Sequence, residues 1–206
     1  MGRAAHDEAR RSLSVARLRG NLHAHTHFSD GVKSPAELIA EYEALGYDFL
    51  AITDHEDLIT DSYWRTLRNL SSRLLFFQGV EISYQPFPQH VGRVLGDRET
   101  LYVLNHPARY RLSVAQTIER MRILRKDGYA IDAVEVTDTG RYRSLYDSPE
   151  IPLSKIATDD SHKPVHFGRA WIEVEAPRDR DAIIRAIRAG DFSVGFADTE
   201  GTLERH

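Results

Sequence analysis

The chain has 206 residues, of which 41% are hydrophobic, so it is long enough for one domain with a sizeable core. Its formal net charge of −4 argues against a general nucleic-acid binder, which usually presents a basic face. The sequence has no cysteine, which excludes disulfides, thiolate zinc sites and cysteine nucleophiles. Any metal must therefore be held by nitrogen and oxygen ligands.

The segment 1–19 is rich in arginine but has no apolar stretch that would act as a secretory signal. We expect a short solvated helix that leads into the domain, with an amphipathic transit-like segment as the alternative. No apolar run approaches the roughly 20 residues needed to span a bilayer. Residues 20–206 are expected to form one domain of a soluble, cytoplasmic protein.

Strand-like and helix-like segments alternate along the rest of the chain. Ser34 and Glu37 form a capping box with Pro35 at the first helical position, which predicts a helix to about Leu45 that Gly46 ends. The other predicted elements, in order, are a strand at 49–53, a helix at 62–71, strands at 74–77, 91–95 and 101–104, a helix at 113–126, strands at 131–136, 156–158 and 170–174, a helix at 179–189 and a strand at 192–196. This alternation is typical of parallel βα units and predicts an α/β fold.

Side chains with metal-binding chemistry lie at the predicted strand ends or in the loops that follow. They are six histidines and three carboxylates: His23, His25, His55, His90, His106, His162, Asp30, Glu81 and Asp160. In parallel α/β folds these strand ends form the edge where ligands bind. His23 and His25 share one face because side chains alternate along a strand. Imidazole and carboxylate together suit zinc, iron or manganese.

No single residue of this set is sufficient evidence for a metal site. A lone histidine is usually a surface or capping residue, and Ser29-Asp30-Gly31 alone could be an ordinary turn. Coincidence does not account for a whole set whose members all follow predicted strands. We therefore predict a metal centre at this edge.

The segments that carry these residues resemble the motifs of the PHP (polymerase and histidinol phosphatase) superfamily. They are HAHTHFSDG from His23, TDH from Thr53, GVEI from Gly79, His90, NHP from Asn105 and DSH from Asp160, in the family's order. The resemblance covers residues 20–194 and implies a distorted (β/α)7 barrel in a single domain. GNLHAHTHFSDG and GYDFLAITDH are most similar to the small branch that includes carbaryl-hydrolase-like (CehA/McbA) proteins.

The resemblance also implies two or three divalent ions, which would be zinc, manganese or iron. The implied ligands are His23, His25, Glu81 and Asp160 for the first ion, Glu81 as a bridge with His90 and His106 for the second, and Asp30, His55 and His162 for the third. Such a centre implies a metal-dependent phosphoesterase with a metal-bridging hydroxide as nucleophile. A third cation would offset charge on the phosphoryl group.

Further polar residues are candidates for roles around the ions. Besides the bridging Glu81, we assign catalytic roles to His27, as general acid, and to Asp54. Asp54 and Asp159 could orient imidazoles or cap strand ends, and Glu135 could touch the site or be structural. The candidate phosphate ligands are five basic loop residues, for which a solvated surface role is the alternative: Arg109, Arg141, Arg143, Lys155 and Lys163.

The leading functional prediction is hydrolysis of a small phosphate ester, either a phosphodiester or nucleotide, or a phosphomonoester. Carbamate or carboxylester hydrolysis is the first alternative, because the same nucleophile can attack a carbonyl. A metal-stabilised binding domain without catalysis is the second, and the complete ligand set argues against it. The negative net charge argues against a nucleic-acid polymer as substrate and favours a small molecule.

Overall fold

One curved sheet organises residues 14–197, the part of the chain that the computed structural model describes. The strands are β1 (Val15–Asn21), β2 (Phe49–Ile52), β3 (Leu75–Tyr84), β4 (Gln89–Leu95), β5 (Thr100–Leu104), β6 (Ile131–Glu135), β7 (Thr137–Asp138), β8 (Arg141–Tyr142), β9 (Ser154–Ile156), β10 (Ala170–Pro177) and β11 (Phe192–Phe196). Nine of them form the sheet in the order β11-β10-β1-β2-β3-β4-β5-β6-β9, and β7 and β8 form a separate hairpin. The nine-stranded sheet is a nearly closed barrel, so the predicted single-domain, distorted α/β barrel is confirmed.

The barrel is distorted because some neighbouring strands run antiparallel. β1, β2 and β3 run parallel, as do β5, β6 and β9, but β3, β4 and β5 form an antiparallel meander, and β10 and β11 also pair antiparallel. The connections at 85–88 and 96–99 are too short for the crossover that parallel strands require. The expectation of parallel βα units throughout is therefore wrong for these strands.

Four α-helices accompany the sheet in the described part of the chain: α1 (Pro35–Ala44), α2 (Asp61–Arg68), α3 (Val114–Lys126) and α4 (Arg180–Ala189). Both predicted capping boxes form, at Ser34 and Ser113. One core cluster packs the sheet against α1, α2 and α3, and the other packs alternate strand residues such as Phe49 and Phe77 against Ile187 of α4.

The start of the described chain differs from the prediction. β1 begins at Val15 and pairs with β10 from Val15 to Gly20, so the end of the predicted lead-in segment 1–19 belongs to the sheet rather than to a helix. Residues 1–13 lie outside the described residues. Within residues 14–197, no helix combines the length and apolar character needed to cross a membrane.

Candidate metal centre

The predicted ligands meet at one end of the barrel. His23, His25 and Asp30 follow β1, and His55 follows β2. His106 follows β5, and Asp160 and His162 follow β9. Glu81 and His90 differ from the prediction because they lie inside β3 and β4, which extend further than the sequence pattern suggested. An isolated β-bridge pairs His55 with Glu81. The long β3–β4 hairpin therefore lies beside the residues that follow β2.

The buried carboxylate of Glu81 is at the centre of the cluster. Five imidazoles surround it: on Oε1, His23 Nε2 at 3.2 Å and His106 Nε2 at 2.9 Å, and on Oε2, His25 Nε2 at 3.5 Å, His55 Nδ1 at 3.3 Å and His90 Nδ1 at 3.2 Å. Asn105 donates a further hydrogen bond to Oε1 at 2.8 Å. One carboxylate thus contacts ligands from four separate segments of the chain, as a bridging ligand would.

A second group forms around Asp30, which is half-exposed at the mouth of the site. Its Oδ2 lies 3.2 Å from His162 Nε2 and 3.6 Å from His55 Nε2, and its Oδ1 lies 3.4 Å from His25 Nδ1. The rings of His25 and His162 stack at 4.2 Å. These residues converge as one set able to hold a cation.

Asp160 completes the buried part of the centre. Its Oδ1 lies 3.4 Å from Nε2 of both His23 and His25, and its Oδ2 accepts from Arg109. The backbone of Asp160 has a φ of 44°, and His106 has a φ of 26°; both values lie in a region that non-glycine residues seldom adopt. Two candidate ligands are therefore held in strained conformations, which are common at functional sites.

The groups that converge in the structure overlap one another and differ from the predicted sets in several members. His106 converges with His23 and Asp160, whereas His90 converges with His55 and Glu81. The reason is that His106 faces one oxygen of Glu81 and His90 faces the other. The predicted pairing of His90 with His106 on one ion stays a prediction, and the centroids of the two rings lie 5.3 Å apart.

The ionisation of the buried groups suits metal binding. Burial raises the pKa of Glu81 and Asp160, but the facing imidazoles, His23 foremost, outweigh it and hold both pKa values well below their usual range. Burial lowers the pKa of His25, which leaves a neutral ring able to coordinate. At His23 burial lowers the pKa, but the surrounding carboxylates, Glu135 foremost, outweigh it and raise the pKa well above its usual range. A proton and a cation therefore compete for His23.

Unpartnered polar atoms test whether these residues fit a metal. Within residues 14–197, Glu81 Oε2, Asp160 Oδ1 and His90 Nδ1 are buried without a hydrogen-bond partner. His23 Nε2 and His25 Nε2 face each other at 3.0 Å, although at most one of two neutral rings can donate there. Divalent cations would satisfy these atoms, so the residues fit the predicted ions.

Two aspartates that adjoin candidate ligands in the sequence form hydrogen bonds that hold the surrounding loops in place. Asp54 accepts hydrogen bonds from Thr26 and Ser29, and so holds the loop that carries Asp30. Asp159 accepts from Tyr42 and from backbone N–H groups, and burial raises its pKa to about 6. These bonds indicate positioning and capping roles for both aspartates, and the catalytic role assigned to Asp54 stays a prediction.

Glu135 was left open between site and structure in the sequence. It lies 2.7 Å from His23 Nδ1 and accepts from the His106 backbone at 2.8 Å, so it belongs to the site. Asn105 was missed as a functional residue, although its place directly before His106 could have indicated a role.

The predicted phosphate ligands divide into two groups. Arg109 contacts Asp160, and its Nη2 lies 3.4 Å from Asp138 Oδ1; Arg143 lies 3.9 Å from the same carboxylate. Both are therefore at the edge of the site.

The remaining candidates have no such placement. Lys155 donates to the Ile151 carbonyl at 2.8 Å, while Arg141 and Lys163 are exposed. His27 is also exposed, with its ring stacked on Phe28 and its Nδ1 3.4 Å from the Lys33 carbonyl oxygen. Its role as general acid stays a prediction.

Comparison with known proteins identifies relatives of this fold. The PHP domain family matches residues 21–150. A two-domain protein from Bacteroides vulgatus, containing a predicted PHP-like metal-dependent phosphoesterase, is 18% identical with a TM-score of 0.67, over 88% of this chain and 65% of that one. PsfC from Pseudomonas syringae is 16% identical, with a TM-score of 0.63, over 88% and 92%. An amidohydrolase from Chromobacterium violaceum, with bound sulfate and no metal, is 16% identical, with a TM-score of 0.58, over 88% and 99%.

These structural similarities are too distant in sequence to show more than a shared fold. The chain spans about two thirds of the length of the Bacteroides protein, which has a second domain. No curated protein matches the chain.

Proposed function

The chain belongs to the PHP domain family, and we propose that it hydrolyses small phosphate esters with the help of two or three divalent ions. The observation that carries the proposal is the double cluster around Glu81 and Asp30. It offers ligand sets for more ions than a carbonyl substrate requires. A phosphoryl group bears charge on several oxygens and gains more from an additional cation.

The residues that would hold the ions are the nine predicted ones, in the groups around Glu81, Asp160 and Asp30. When bound, such ions lower the pKa of water enough to supply a nucleophile near neutral pH. The protein's own contribution is to keep the ligands in place. Asn105 fixes Glu81, and Asp54 fixes the loop of Asp30.

Two cavities beside the cluster offer room for a small substrate. One of about 470 Å³ is lined by Asp138 and Arg143, and Asp138 in turn contacts Arg109. Another of about 350 Å³ is lined by His90 and Tyr110. Arg143, which lines the first cavity beside Asp138, would contact an anionic ester there.

The barrel itself does not decide between phosphoryl and carbonyl substrates, since the Chromobacterium amidohydrolase shares it. The test is a screen of metal-reconstituted protein against aryl phosphomonoesters, aryl phosphodiesters, aryl acetates and aryl carbamates, with chelator-treated protein as control. We expect metal-dependent turnover that is fastest on a phosphate ester. Faster cleavage of acetates or carbamates would contradict the proposal, and metal binding without any turnover would indicate a binding domain.

A further inference from the structure

Glu135 connects two candidate metal ligands that come from opposite sides of the barrel. It is the last residue of β6, and its side chain is buried. Its Oε1 lies 2.7 Å from His23 Nδ1 and accepts from Thr158 at 2.5 Å, while its Oε2 accepts the backbone N–H of His106 at 2.8 Å. Strands β2 to β5 separate β1 from β6 along the sheet, so the contact with His23 crosses the barrel interior.

The first contact determines which nitrogen of His23 faces the cluster. With Nδ1 directed at Glu135, Nε2 points at Glu81 and Asp160, at 3.2 and 3.4 Å. A carboxylate that accepts from one ring nitrogen leaves the other unprotonated in the neutral ring, and it also prevents the ring from rotating.

The second contact holds the strained backbone of His106. A φ of 26° is unfavourable for a non-glycine residue and persists only where the surroundings enforce it. The bond from the His106 N–H to Glu135 satisfies a buried donor in this conformation. It thereby helps to direct His106 Nε2 towards Glu81 at 2.9 Å.

We propose that Glu135 is a positioning residue that prepares His23 and His106 together for metal binding. The inference rests on the metal dependence of the proposed function and not on its substrate. The competing explanation is that Glu135 only stabilises the barrel by pairing a buried N–H group. The two explanations differ in what they predict for metal affinity of a folded variant.

Glu135→Gln provides the test. Glutamine keeps the size of the side chain, but only its amide oxygen can accept a hydrogen bond, whereas both carboxylate oxygens of glutamate can. Thr158→Val is the matched control, since it removes the third partner of the same carboxylate and leaves both histidine contacts. Chelator-stripped proteins would be titrated with Zn²⁺ against a chromophoric chelator, with thermal unfolding of each metal-free form measured in parallel. We expect Glu135→Gln to remain folded and to bind Zn²⁺ about 10–100-fold more weakly. Thr158→Val should bind like wild type.

Wild-type Zn²⁺ affinity in Glu135→Gln would overturn the proposal. If that variant does not fold, the imidazole nitrogens of the Zn²⁺-loaded wild type can be assigned by NMR. The proposal requires a proton on His23 Nδ1, and a bare Nδ1 would overturn it. A wild-type protein that binds Zn²⁺ but cleaves no phosphate ester would contradict the proposed function while leaving this comparison valid.

Discussion

Replacing Glu81 with alanine should abolish phosphoester hydrolysis, with a loss of ~10³-fold or more in kcat. Glu81 is fully buried and contacts five imidazoles, so its removal takes away the one carboxylate shared by several groups of ligands. The remaining histidines would lose their common negative charge, which weakens the binding of every ion that Glu81 contacts. Steady-state turnover and metal content of the purified variant should therefore fall together.

Two further variants separate this effect from misfolding. Glu81→Gln retains an acceptor for Asn105 but loses the charge, and it should be nearly as inactive. Glu173→Ala removes a carboxylate of β10 that pairs with Arg17, and it should keep wild-type turnover. If Glu81→Ala hydrolyses phosphate esters at near-normal rates, the assignment of Glu81 as the shared ligand is wrong.

Replacing Asp30 with alanine should reduce kcat on phosphate esters by about 10²-fold, while any carboxylester activity falls much less. Asp30 lies at the mouth of the site, where it contacts His162 and shares His25 and His55 with Glu81. Charge stabilisation in this outer group matters most for a reacting centre with several charged oxygens. The difference should appear in kcat at saturating metal, because charge develops mainly in the transition state.

Asp57→Ala is the matched control for Asp30. Asp57 is an exposed carboxylate of a nearby loop whose oxygen lies 3.4 Å from Ser83 Oγ, so its removal should affect neither activity. His162→Ala should resemble Asp30→Ala. Equal losses on both substrate classes would show that the outer group is structural, and would favour carbamate or ester hydrolysis.

The candidate ligands could be identified from the sequence because the chain carries them in short motifs. His23 and His25 are two residues apart at a strand end, so the local geometry places both imidazoles on one face, which in the barrel is the face towards Glu81. The helix that Ser34 caps was predictable for the same reason, since its capping box lies within four residues. Features that depend only on the spacing of nearby residues could therefore be predicted.

Features that depend on distant partners could not be predicted. Gly79 and Glu81 interrupt the apolar pattern of β3, so the sequence indicated a strand that ended before them, whereas pairing with β4 extends it to Tyr84. Similarly, the backbone N–H of His106 bonds to Glu135, which is 29 residues away in the sequence. Only the assembled barrel brings these groups together.

The most direct test of the central claim is the metal content of the protein. Elemental analysis of protein purified without chelator, and again after reconstitution with Zn²⁺, Mn²⁺ or Fe²⁺, should find about two to three equivalents of divalent metal per chain. Less than about one equivalent that persists after reconstitution would contradict the metal centre and the proposed hydrolase with it.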